Sequence, residues 1–259
     1  MKNHAAVEPA VDAISFIAKN RASKEALKSA NLLKSLEINA LITGEEGTGK
    51  TTLAKYIVNA PIINGDSDIT TITTMMIQHQ NVIIRNFDKI KYTDTLFGIL
   101  QKNKTRIIAT SQKNIFSKIR DKFFSLSINL PPLVDRREDI YPLAKKFLED
   151  AKYDFGFRDI DIDIKEMELN LDRNCYSLKM SIYKALIEEL MQEKDIMRIL
   201  QNYFLKKLGS KNDYRDNLHI YEIPLIKAGL LKFKSQLKIA DQFGINRNTL
   251  RKKINEYNL

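Results

Sequence analysis

Eight consecutive residues constrain this chain more than anything else in it. Gly44-Glu45-Glu46-Gly47-Thr48-Gly49-Lys50-Thr51 satisfies G-x-x-x-x-G-K-[ST], directly after the apolar run at 38–42 and before a helical stretch at 52–59. In that setting the glycines let backbone N–H groups curl around phosphate oxygens, and the following helix offers its positive end. Lys50 is expected to reach the β- and γ-phosphates and Thr51 to ligate Mg²⁺. Gly44, Glu45, Glu46, Gly47, Thr48, Gly49, Lys50, Thr51 and Thr52 are therefore the expected nucleotide-binding residues, with ATP or ADP and Mg²⁺ as cofactors. The alternative is a loop that keeps this shape without binding nucleotide, so binding and hydrolysis have to be judged separately.

The rest of the chain supplies a setting for that loop. Short apolar runs at 82–84 and 106–109 alternate with helical stretches, which predicts an α/β domain with a parallel sheet. Residues 11–36 read as amphipathic helix, with Val11, Ile14, Phe16, Ile17, Leu27, Leu32, Leu33 and Leu36 at helical spacing. After Leu130-Pro131-Pro132 the pattern becomes helical throughout: Ile140, Leu143, Ala144, Phe147 and Leu148 share a face, and helices follow at 178–191 and 196–208. Gly209-Ser210-Lys211-Asn212-Asp213 reads as a linker. The expected domains are an α/β P-loop core at 1–133, a helical lid at 134–208 and an all-α unit at 209–259.

Hydrolysis needs a carboxylate at the end of a neighbouring strand to hold Mg²⁺, and usually a second one to polarise the attacking water. In the strand read over 81–88, positions 86 and 87 hold Asn86 and Phe87 where an acidic pair is expected. Asp88 falls on the same strand face as Asn86 but about 7 Å further on, so it substitutes only if the backbone shifts.

The C-terminal end carries a different pattern. Leu237, Ile239, Ala240, Phe243, Ile245, Leu250 and Ile254 fit two short helices flanking Gly244, with Asn246 placed to cap the second. That second helix carries Asn246, Arg247, Asn248, Thr249, Arg251, Lys252 and Lys253, donors for base edges and cations for phosphates, which makes these the expected residues for binding double-stranded DNA. A solvated basic helix closing a bundle is the alternative. Upstream, Leu218, Tyr221, Leu225, Ala228, Leu230 and Leu231 form an apolar stripe, broken at Pro224, that so small a unit cannot bury alone; self-association as a dimer or higher oligomer is expected to cover it.

Composition agrees with a polyanionic partner. Lys and Arg number 42 against 32 Asp and Glu, a net charge of +10, for which nucleic acid is the first expectation and a membrane surface the second. Cys175 is the single cysteine, which excludes an intrachain disulfide, and His4, His79 and His219 have no ligand spacing, so no metal site is expected from them. The stretch 1–19 lacks a signal-peptide core and no run is long enough to span a bilayer, so no membrane association and a cytoplasmic location are expected.

Taken in order, these pieces resemble the NtrC-type bacterial enhancer-binding regulators, which join an AAA+ ATPase domain acting on sigma-54 RNA polymerase to a Fis-type helix-turn-helix. The segments carrying the resemblance are 41–50, 130–140 (Leu-Pro-Pro-Leu-Val-Asp-Arg-Arg-Glu-Asp-Ile) and 244–253. The departures are equally local. Residues 61–80 alone stand where the family inserts the GAFTGA loop that touches the sigma factor. Lys122 and Phe116 occupy the arginine-finger positions, with Arg120 nearby, Gln112 keeps a polar first-sensor position, and Tyr176 replaces the arginine that opens a lid helix. Asp88, Arg120, Lys122 and Gln112 are thus the candidates for catalytic roles, and none is assigned one. The 37 residues ahead of position 38 are too few for the family's receiver domain, so control by aspartyl phosphorylation within this chain is not expected.

The expected function is sequence-specific DNA binding in transcription regulation, with an ATP-binding AAA+-like domain that hydrolyses ATP weakly or not at all. RNA polymerase is a further partner implied by the resemblance. Two alternatives remain: an active ATPase that remodels sigma-54 polymerase, and a Fis-like architectural DNA-binding protein.

Overall fold

Alternation along the apolar runs decides how the sheet is covered. In the computed structural model, which describes residues 15–157, 160 and 162–259, the strands β1 (Ala40–Thr43), β2 (Ile62–Asn64), β3 (Asn81–Arg85), β4 (Arg106–Ser111) and β5 (Leu126–Asn129) are all parallel, in the order β2-β3-β4-β1-β5. Ala40, Ile42, Ile83 and Ile108 point to one face, where α1 (Arg21–Ser35) and α2 (Lys50–Ile57) bury Ala26, Ala30, Leu33, Leu53 and Ile57 against them. Leu41, Val82, Ile84, Ile107 and Ala109 point to the other, under α3 (Ile69–Gln78), α4 (Thr93–Asn103) and α5 (Ser117–Phe123). Near-continuous apolar strands, whose successive side chains point to opposite faces and meet helices on both, are the signature of this architecture.

The structure adds two strands that the sequence reading left out, β2 and β5. Both are short: β2 pairs along the longer β3, and β5 along β1, which is of its own length. The N-terminal helix is shorter than the expected 11–36. Asn20 caps α1 by accepting from the Ala22 N–H at 2.9 Å, residues 15–19 are not helical, and positions 11–14 lie outside the described residues. β2, a short loop and α3 account for residues 61–80.

After β5 come α6 (Arg137–Phe155) and α7 (Cys175–Leu190), which bury Leu133, Ala144, Leu148, Leu178 and Ile182 between them. Next are α8 (Glu193–Leu205), α9 (Asp213–Asn217), α10 (His219–Phe233), α11 (Gln236–Gln242) and α12 (Arg247–Glu256). By its contacts the chain divides into two compact units, Met1–Leu190 and Met191–Leu259. The sequence reading draws its last boundary at 209 and puts the 196–208 helix in the lid. Yet α8 buries no residue, and the lid cluster contains none of its side chains.

Two further readings are corrected in the second unit. Pro224 does not break the apolar stripe: α10 runs through it, the proline falling in the second turn. Asp213, read as linker, begins α9, and its carboxylate accepts from the Gly209 and Ser210 N–H groups. No helix among the described residues is long and apolar enough to cross a membrane.

Candidate functional site

The phosphate loop sits between β1 and α2, at the carboxyl ends of the parallel strands, where open α/β sheets place their ligands. Gly47 and Gly49 have φ of +79° and +97°, the left-handed region that favours glycine, and Gly49 is the N-cap of α2. Lys50, the first residue of α2, is buried. Its ammonium donates to the Gly44 carbonyl at 2.8 Å and to that of Glu45. Burial lowers the Lys50 pKa, an effect partly offset by the carboxylates of Asp88, Glu46 and Glu45. A cation held at an open helix N-terminus by two carbonyls can exchange them for phosphate oxygens, which would restore the charge compensation that burial removes.

Asp88 reaches this place by a route the strand reading missed. β3 ends at Arg85, Asn86 turns into the left-handed region at φ +52°, and residues Phe87–Lys89 form a 3-10 turn. Phe87 is driven into the core, edge-on to Phe123 and Phe124 at 5.3 and 4.9 Å between ring centroids. The turn folds Asp88 back onto the end of β4, where its carboxylate accepts from Ser111 Oγ at 2.9 Å and from the Gln112 N–H at 3.2 Å. The backbone thus leaves the strand path before Asp88, the condition under which that carboxylate could stand in for the missing acidic pair, and its charge acts on Lys50. The next residue in sequence is Lys89 rather than a second acid, and its ammonium pairs with Asp66 at 3.6 Å. Gln112 joins Asp88 through its backbone. Arg120 and Lys122 do not join: they pair with Asp121 at 3.0 Å and Asp94 at 2.7 Å, and Lys122 also lies over the Phe97 ring. Phe116 is 82% exposed.

Several residues of this site were invisible to sequence reasoning. A cavity of about 120 Å³ adjoins Thr48, Gly49 and Thr52, walled by Phe16, Ile17, Leu143, Phe147 and Cys175. Apolar walls beside a phosphate loop suit the flat ring system of a nucleoside base. Arg136, 1% exposed, forms one side of it and donates to Thr48 O at 2.9 Å and Pro131 O at 3.0 Å, with Asp139 at 3.5 Å. Asp139 in turn accepts from the Lys19 and Asn20 N–H groups at 2.6 and 2.8 Å, and from Ser23 Oγ. One buried pair thus ties the loop backbone, α6 and the segment leading into α1. Burial lowers the Arg136 pKa and raises that of Cys175. Among the described residues there is no cluster of three or more His, Cys, Asp or Glu side chains that could hold a metal ion.

The second unit places the other expected residues. α11 ends where Gly244, at φ +62°, lets the Ile245 N–H reach Ala240 O at 3.0 Å; Asn246 then caps α12, accepting from the Asn248 N–H at 2.8 Å. Ile226, Ile239, Ala240, Leu250 and Ile254 form the core, and Gly229 is buried against the Phe243 ring, which leaves no space for a side chain. Arg247, Asn248, Thr249, Arg251 and Lys252 are exposed. Lys253 is not with them. Its ammonium is held by Glu222 of α10 at 2.6 Å, and Tyr257 donates to the same carboxylate at 2.7 Å. Residues 191–259 carry 14 Lys and Arg against 7 Asp and Glu, so most of the chain's net positive charge of +10 lies here. Tyr221 and Leu231 of the apolar stripe remain 68% and 79% exposed, whereas Leu230 packs inward.

Residues 16–70 match the family described as the Sigma-54 interaction domain. The chain is 24% identical to the DNA-binding transcriptional regulator NtrC of Rhizobium meliloti over 339 aligned residues, covering 95% of this chain and 70% of that protein. The aligned span exceeds the chain's own 259 residues, so that relative has segments with no counterpart here. Identity is also 24% to the HTH-type transcriptional regulatory protein TyrR of Haemophilus influenzae, across 94% of this chain and 95% of that one. Among solved structures, NtrX from Brucella abortus in complex with ADP superimposes with a TM-score of 0.57 at 13% identity, covering 95% of this chain and 69% of that one. The same protein in complex with ATP gives 0.54 at 14% identity. At such identities the likeness is one of fold alone, a five-stranded parallel sheet covered by helices on both faces.

Proposed function

We propose, for a chain similar in sequence and fold to the NtrC-type, sigma-54 activator-like regulators, that it binds specific double-stranded DNA to regulate transcription and holds ATP or ADP with Mg²⁺ without rapid turnover. The observation that carries the DNA-binding half is the exposed face of α12, where Arg247, Asn248, Arg251 and Lys252 follow a capped helix start at the end of a strongly basic unit. Recognition helices read base edges with their first turns and hold phosphates with the cations behind. Two copies associating through Tyr221, Leu225 and Leu231 would set two such helices on successive major grooves.

The nucleotide half rests on Lys50, Thr51, Asp88 and the base-sized cavity. Slow hydrolysis follows from what surrounds them: Lys89 after Asp88, and Arg120 and Lys122 paired elsewhere. The test is steady-state ATP turnover by the full chain at high concentration, with and without DNA, alongside selection of binding sequences from random duplexes at one fixed salt. Nucleotide binding without turnover above that of Lys50→Ala, and a selected-over-scrambled affinity ratio above about 10³, are expected. Turnover near about 1 s⁻¹ that disappears with Lys50 would overturn the slow-hydrolysis reading in favour of a motor, and an affinity ratio near one would make the protein architectural.

A further inference from the structure

An acid opens the otherwise apolar inward face of α10. Ile226, Gly229 and Phe233, which stand four, seven and eleven positions after Glu222, line that face and pack in the core of the second unit. Glu222 is only 17% exposed, and both of its carboxylate oxygens are engaged by the far end of α12. Lys253 donates to Oε1 at 2.6 Å, and Tyr257, one helical turn later, donates to Oε2 at 2.7 Å. Among the described residues these are the side-chain hydrogen bonds that join α12 to α10. Otherwise α12 meets the core through Leu250 and Ile254, whose apolar packing is non-directional and leaves a helix free to slide or roll. Hydrogen bonds are directional, and a carboxylate gripped at both oxygens from successive turns fixes the slide and the roll together. A charge taken out of water is an inefficient way to add stability, and the best-attested use of such a group is to fix register. Tyr221 and Leu225 lie about 100° and about 60° around α10 from Glu222, both on the same side of it, and both are exposed. One helix thus offers a face to α12 and an adjoining face to a second copy of the chain.

We propose that Glu222 is a positioning residue that sets which separation of DNA half-sites the paired protein accepts. The proposal rests on the reading that α12 enters duplex DNA and that two copies associate along α10. Half-sites on one side of the duplex are about 34–36 Å apart, and each added base pair moves one of them by about 3.4 Å and turns it by about 34–36°. A recognition helix free to roll on α10 follows such a displacement. A helix held at both oxygens of Glu222 does not, so the pair reads one spacing and rejects its neighbours.

The test is fluorescence anisotropy of the full chain, at one fixed salt, on the duplex selected from random sequences and on versions with its half-sites moved apart by one or two base pairs. The wild type should prefer the selected spacing by about tenfold or more, and Glu222→Ala should reduce that ratio to below about threefold. The triple variant Glu222→Leu/Lys253→Met/Tyr257→Phe separates placement from stability, because it leaves no charge unpaired. It should melt within about 5 °C of the wild type and still lose the spacing ratio. A ratio unchanged in the triple variant, or an affinity that falls by the same factor at every spacing, would overturn the role of Glu222 and leave DNA binding intact. A wild type whose selected sequences carry a single half-site would do the same. A wild type with no preference for selected over scrambled duplex would overturn the DNA reading itself, and this inference with it.

Discussion

Replacing Arg136 by alanine tests the buried network on which the nucleotide site stands. Arg136 and Asp139 are both inaccessible, and the arginine is bonded to two carbonyls, one of them Thr48 O within the phosphate loop. Removing one member of a buried charged pair costs about 3–5 kcal/mol, because the other is left unpaired away from water. Asp139 keeps three donors, the Lys19 and Asn20 N–H groups and Ser23 Oγ, which continue to compensate its charge, so the lower end of that range applies. A loss of about 3 kcal/mol in a unit of this size corresponds to a fall of about 6–12 °C in Tm. Scanning calorimetry of the full chain should register that fall in one transition, assigned to the P-loop unit. The double variant Arg136→Met/Asp139→Asn should lose less than the two single variants added together, by about 1–3 kcal/mol, since neither charge is then orphaned. An Arg136→Ala protein melting within about 2 °C of the wild type would refute the reasoning, as would strict additivity in the cycle.

Other outcomes follow from the C-terminal unit. Arg251→Ala should weaken duplex binding by about 1–3 kcal/mol and flatten its salt dependence, as fluorescence anisotropy would read, whereas Lys253→Ala should leave the salt slope unchanged and loosen α12 instead. Leu231→Glu should shift the protein toward monomer in sedimentation velocity, and a distribution identical to that of the wild type would remove the stripe from the interface. Lys253 and Tyr257 hold the Glu222 carboxyl below its ordinary range by hydrogen bonding; that contribution is present above the unfolded value near about 4.3 and lost as pH falls through the folded one, so Glu222→Gln should flatten the acid limb of stability. The same hydrogen bond pushes Tyr257 up to about 12, a contribution present below about pH 10 and lost as pH rises through 12, so its phenolate absorbance should appear late and return toward ordinary values in Glu222→Gln.

What was legible in the sequence is what the backbone dictates locally. The loop at 44–51 could be read because glycines, a lysine and a preceding apolar run are needed together at fixed spacing, and the turn at Gly244 with its Asn246 cap could be read for the same reason. Asp88 was misplaced because a strand was carried through to it. Phe87 breaks the alternation, and an asparagine, which tolerates the left-handed region, stands just before it; together they mark the turn that the structure makes there. Lys253 was counted with the phosphate contacts from the run of cations alone. At 100° per residue it lies about 240° around the helix from Arg247, while Arg251 lies within about 40°, so helical period already separates them.

Arg136 marks where such reading stops. Its partner in the phosphate loop is 88 residues away, and Asp139 reaches back 120 residues to Lys19. No pattern of period 2 or 3.6 carries information across those distances, and an arginine followed by a second arginine and two acids reads as a solvated helix start. The ligand-facing backbone is specified locally by glycine and cap residues, whereas the polar network holding it to the lid is specified by tertiary burial. An unpaired charge in the interior costs more than almost any single surface contact can return, so the two ends of the Arg136–Asp139 network are bound to each other despite their distance in sequence. For that reason the coupling between lid and loop emerges only when the fold brings them together, and Arg173, Asn174 and Glu46 acquire their relationship there as well.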